Sequence, residues 1–118
     1  MTTTLSVELP RAELDAYVQR LGERFPLHRA FLGGARVADL RGAAVQRERG
    51  PEYVLVLVSE HFDGMPWLER VHQATSLWDA HTMGGRAEVH CYTCAEYARK
   101  VRALPVVRQT ARFGLELA

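Results

Sequence analysis

The spacing of apolar residues changes along the chain, and each change predicts an element. From Pro10 to Glu23, Leu14, Tyr17, Val18 and Leu21 recur at intervals of three and four, the pattern of an amphipathic helix, with Pro10 suited to its first position. "LHRAFLGG" follows as a short strand that breaks at Gly33 and Gly34. Ala35 to Gly50, rich in Arg, Gly and Ala, has no clear period and reads as a loop with at most one short helical or strand piece. Tyr53 to Val58 is an unbroken Val/Leu run, which fits a strand covered on both faces and central in its sheet.

Asp63 and Gly64 mark a turn, after which Leu68, Val71, His72, Thr75 and Trp78 predict a second helix from Pro66 to Ala80. Trp67 and Trp78 fall on it, where they anchor it to the sheet or to a second subunit. "RAEVHCYT" reads as a strand. "TCAE" then has the form of a capping box, with Thr93 capping a third helix and Glu96 reaching back. That helix runs from Cys94 to Leu104 and stops before Pro105. "VVRQTARFGLEL" predicts a short helix closed at Gly114, with "LEL" as a last edge strand. The order α-β-loop-β-α-β-α-α implies an α/β (α+β) fold, a small mixed sheet of three to four strands flanked by helices.

No repeat, low-complexity tract or linker interrupts this order, and 118 residues suit a single domain spanning 1–118. A net charge of +1 gives no global field for nucleic acid or an anionic membrane. "MTTTLSVELP" lacks the basic and apolar regions of a signal peptide, and no apolar run approaches the roughly 20 residues of a membrane span, so the expectation is a cytoplasmic protein.

Cys91 and Cys94 form a C-x-x-C where a strand passes into a helix. A helix N-terminus lowers a thiol pKa, so a redox role, or half of a zinc site completed by His90, His61, His72 or His81, is one reading. A structural role is the other, since Cys91 lies inside an apolar strand and small buried cysteines are ordinary core residues.

The succession "FLGG", "EYVLVLVSEHFDGMPWLERV", "EVHCYTCAEYARK" and "VVRQTARFGLEL" resembles the minimal nucleotidyltransferase-domain proteins of the DNA polymerase β superfamily, over nearly the whole chain from Phe25 onward. In that family a strand ends in Gly followed by Gly or Ser, a second strand begins with Asp-x-Asp, and a later strand carries a third carboxylate. The resemblance implies that Gly33, Gly34 and Arg36 contact the triphosphate of an NTP, and that Glu52 and Glu88 are catalytic acids holding Mg²⁺. Two acids at i and i+2 of a strand share a face and thereby a metal ion. Here Val54 stands at the second acid position, so the pair is broken. An Arg-rich insertion carrying Arg36, Arg41, Arg47 and Arg49 also lengthens the stretch between the glycines and Glu52.

The resemblance thus implies a nucleotidyltransferase with lost or reduced Mg²⁺-dependent transfer from NTP to an acceptor. The alternative is a non-catalytic module that binds a nucleotide, a second copy of itself, or a small helical protein, as in the toxin–antitoxin pairs of the family. Read without the resemblance, Glu52 beside Pro51 and Glu88 at a strand head are solvated edge residues, the glycine pair is a turn, and the arginines are a solvated surface.

Overall fold

The computed structural model describes residues 9–40 and 50–118. Its elements are α1 (Arg11–Arg24), β1 (Arg29–Gly33), α2 (Ala35–Leu40), β2 (Tyr53–Val58), a 3₁₀ turn (Glu60–Phe62), α3 (Trp67–Thr75), α4 (Ala80–Met83), β3 (Ala87–Tyr92), α5 (Cys94–Ala103), α6 (Pro105–Phe113) and β4 (Leu115–Glu116). The strands form one open mixed sheet in the order β3-β2-β1-β4. β2 runs parallel to β3, and β1 runs antiparallel to both β2 and β4. The parallel pair needs a crossover between its strands, which α3 and α4 supply.

Helices on both faces explain the unbroken apolar run. Tyr53, Leu55 and Leu57 pack with Leu14, Tyr17 and Leu21 of α1 and with Phe62 and Ala74. Val56 and Val58 point to the other face, where Phe31, Tyr92 and Val107 of α6 cover them. All six residues of β2 are buried. β2 is central, as the unbroken Val/Leu run predicted, and the short β4, from "LEL", forms one edge. Thr93 accepts from the Glu96 amide at 3.2 Å while the Glu96 carboxylate accepts from the Thr93 amide at 2.9 Å, so the capping box is formed.

Several boundaries move. Pro10 caps α1 from outside, β1 begins at Arg29, and a six-residue helix occupies the head of the segment read as a loop. The second helix is two: α3 ends at Thr75, and the Asp79 carboxylate accepts from the His81 and Thr82 amides at 3.0 and 3.3 Å to start α4. A local cap here competes successfully with the apolar spacing that ran through it. Trp78 therefore lies on the connection, not on a helix. It packs edge-on against Tyr17 and Tyr53, with ring centroids 5.1 and 5.2 Å away, and donates Nε1–H to the Gly85 carbonyl at 2.9 Å. No described helix is long and apolar enough to cross a membrane. Residues 1–8 of the stretch read for a leader, and Arg41, Arg47 and Arg49 of the insertion, lie outside the described residues.

Arg70, a charged residue at a core position, ties α3 to β3 and α5. It is buried, donates to the Met65 and Cys91 carbonyls at 2.8 and 3.1 Å, and reaches Glu96 Oε1 at 2.6 Å. Removing Arg70 takes this donor from the Met65 and Cys91 carbonyls and leaves the Glu96 carboxylate with the Thr93 amide and water alone. Arg70→Ala is therefore expected to cost about 3 kcal/mol in urea unfolding, and a cost under about 1 kcal/mol would show the pair to be solvent-screened. The Arg70 hydrogen bond, chiefly, holds the Glu96 carboxyl below its ordinary pKa. A depressed acid stabilises the fold fully above its unfolded pKa, and the benefit fades as pH falls through the lower folded value. Below the ordinary carboxylate range, Glu96→Gln should therefore lose less stability with falling pH than the parent chain does.

Candidate active site

β1 ends at Gly33, and the chain turns into α2 at Gly34 with φ +101°. The first two α2 amides donate to carbonyls of the segment leading into β2, Ala35 to Pro51 at 3.0 Å and Arg36 to Glu52 at 3.1 Å. A Cβ at Gly34 would sit 2.6 Å from the Glu52 carbonyl oxygen, and one at Gly33 would sit 2.9 Å from Thr110 Oγ1 on α6. The glycine pair is thus where β1, the head of β2 and α6 close on one another. The positive φ and backbone contact at Gly34 are conditions only glycine meets without strain.

A cavity of about 620 Å³ opens beside this turn, within the usual size range of ligand sites. Gly33, Gly34 and Pro51 line one side, Gln109, Thr110 and Phe113 of α6 another, and Val54 and Glu88 also contribute to its wall. Val54 and Glu88 are directly paired in the β2–β3 ladder. Glu88 is the one carboxylate lining the cavity among the described residues.

The sequence-predicted residues therefore fall into two groups. Gly33, Gly34 and Glu88 share the cavity with Val54. Glu52 and Arg36 do not line it. Arg36 Nε donates to Glu52 Oε1 at 3.0 Å, and its Nη2 donates to the Gly84 carbonyl at 2.8 Å. A Cβ on Gly85 would sit 2.7 Å from Glu52 Cβ, so this ion pair is packed against the turn between α4 and β3. The same-face rule for positions 52 and 54 does not carry the Glu52 side chain into the cavity, because β2 begins only at Tyr53 and Glu52 lies in the bend before it.

Glu88 has a partner as well. His90 Nε2 lies 2.8 Å from Glu88 Oε2, and His90 Nδ1 lies 3.1 Å from the Tyr92 hydroxyl. Residues 88, 90 and 92 alternate along β3 and so line up on one face. Burial pushes the Tyr92 hydroxyl up to about 12. Trp67 closes the row, its ring 6.4 Å from His90 and 5.7 Å from Tyr92. This Glu-His-Tyr file was not assigned from sequence, although "EVHCY" shows it as polar residues at every second position of a strand.

No family model matches the chain, and no curated protein matches it. Among solved structures, a Sulfolobus solfataricus protein described provisionally as a nucleotidyltransferase superposes with a TM-score of 0.55. The match covers 83% of this chain and 82% of that one at 16% identity. At that identity the likeness concerns the arrangement of the backbone, and on it the chain has a nucleotidyltransferase-like fold.

Proposed function

We propose that this nucleotidyltransferase-like protein has lost, or largely lost, Mg²⁺-dependent transfer from NTP to an acceptor, while its cavity beside Gly33 and Gly34 keeps room for a nucleotide. The observation that carries this reading is Val54, which stands opposite Glu88 in the ladder at the place where the resemblance puts a second acid. In-line displacement of pyrophosphate calls for divalent ions held by several hard oxygen donors. Here Glu52 is paired with Arg36 and Glu88 with His90, and a single described carboxylate lines the cavity. That donor set does not fit a two-ion Mg²⁺ centre. The chain's own contribution is a shaped recess with Gln109 on its wall and one carboxylate already held by a neighbouring imidazole.

A second reading makes the same fold a binding module for a nucleotide alone or for a protein such as a small helical partner. Trp67 and Leu68 at the start of α3, 43% and 80% exposed, favour a protein surface there.

Calorimetric titration with ATP separates loss of transfer from ordinary activity. Binding is expected to be weak or undetectable and to change little when Mg²⁺ is added, with no transfer of labelled nucleotide to an acceptor. Tight binding that requires Mg²⁺ would overturn the proposal and point to an additional ligand for the ion.

A further inference from the structure

The end of the strands opposite the Gly33 turn carries a separate group of ligand-type side chains. β1 runs antiparallel to β2 and β2 parallel to β3, with Arg29 paired to Val58 and Val58 to Tyr92. The start of β1 and the ends of β2 and β3 therefore meet at one end of the strands, away from Gly33. Each is followed or preceded there by one residue with a metal-binding side chain: His28 before β1, Glu60 after β2 and Cys94 after β3. One imidazole nitrogen, one carboxylate oxygen and the thiol sulfur lie within 4.8 Å of one another.

Their supports are fixed while the side-chain tips are exposed. The His28 amide donates to the Val58 carbonyl at 2.8 Å, the Ser59 side chain caps the turn that holds Glu60, and the capping box fixes the first turn of α5. Glu60 Oε2 accepts from the Cys94 amide at 2.7 Å, which holds the carboxylate beside the thiol. In a tetrahedral zinc site with bonds of about 2.0 to 2.3 Å, neighbouring ligand atoms stand about 3.5 Å apart. Rotation of exposed side chains closes the remaining distance with the backbone in place.

We infer that His28, Glu60 and Cys94 form a site for a borderline-soft divalent cation of the Zn²⁺ class. A thiolate and an imidazole beside one carboxylate favour such an ion over Mg²⁺ or Ca²⁺, which take oxygen ligands. Three protein donors leave a fourth position for water, as in zinc centres that act on substrates. Cys94 binds as the thiolate, with its proton passing to the buffer. The site does not use the C-x-x-C as a pair. Cys91 is buried, with its S–H directed at the Arg70 carbonyl at 3.7 Å, whereas Cys94 is exposed. The histidine beside Cys94 is also none of the four that sequence spacing offered.

The test uses the tag-free full chain, freed of metal with chelator, and titrated with Co²⁺ and Zn²⁺ alone. One equivalent of Co²⁺ should produce a thiolate-to-cobalt absorption band that Zn²⁺ removes. The band should vanish in Cys94→Ser and persist in Cys91→Ala. His28→Ala and Glu60→Gln should each weaken Zn²⁺ binding by about tenfold or more while the circular dichroism spectrum is unchanged. Absence of the band in the parent chain, its survival in Cys94→Ser, or Zn²⁺ affinity indifferent to all three ligand substitutions would overturn the inference. None of these readouts depends on nucleotide binding, so the site stands or falls independently of the proposed function.

Discussion

Val54→Asp is expected to destabilise the chain in the absence of metal and to make its melting temperature respond to Mn²⁺ or Mg²⁺. Val54 is 3% exposed and directly paired with Glu88, so the new carboxylate would have to be desolvated beside an existing acid. Either the pair shares a proton or one acid titrates well above its ordinary range, at a cost of about 2 to 4 kcal/mol. A divalent ion bridging the two acids would return stability by mass action, about 2.7 kcal/mol at a hundred times its dissociation constant. Thermal melts of parent and variant across a Mn²⁺ series measure this directly. The parent should show little response, whereas the variant's melting temperature should climb with concentration. Equal destabilisation at every Mn²⁺ concentration would identify position 54 as a core valine and remove the argument that a metal pair was lost there.

Gly34→Ala should be more damaging than Gly33→Ala, although the two residues adjoin. At Gly34 the cost has two independent sources, the left-handed backbone at φ +101° and a Cβ only 2.6 Å from the Glu52 carbonyl oxygen and 2.7 Å from Tyr53 Cα. Both obstacles are backbone, which cannot yield without separating α2 from β2. Together they predict a loss of about 3 kcal/mol or more in denaturant unfolding. At Gly33 the obstacle is the Thr110 side chain, 2.9 Å away at Oγ1, and φ is not positive, so a loss of about 1 kcal/mol is expected. Equal losses would mean that the α2–β2 contact yields easily and that Gly34 holds no special position beside the cavity.

The residues that were legible in sequence are those whose environment is set by near neighbours. The Tyr53–Val58 run identified a strand buried on both faces, and "TCAE" identified the start of α5, because a pleat repeats every two residues and a capping box closes within four. The fold class followed from the succession of such segments. The break between α3 and α4 was missed because the apolar spacing continues through it, whereas in the structure Asp79 caps α4 and Trp78 packs between Tyr17 and Tyr53.

The candidate sites depended on contacts between segments far apart in the chain. By itself the sequence determined the residue types, Val54 two positions after Glu52, and through the resemblance it offered Gly33, Gly34, Arg36, Glu52 and Glu88 as one expected site. Only the tertiary structure decided that Glu52 turns to Arg36 while Val54 and Glu88 share a cavity wall, because an alternation rule ends where the ladder ends, at Tyr53. It likewise decided that Arg70 is a buried tie and that His28 stands beside Cys94. Arg70 and Cys91 are separated by 21 residues of sequence and His28 and Cys94 by 66, and strand order and register, not local spacing, bring them together.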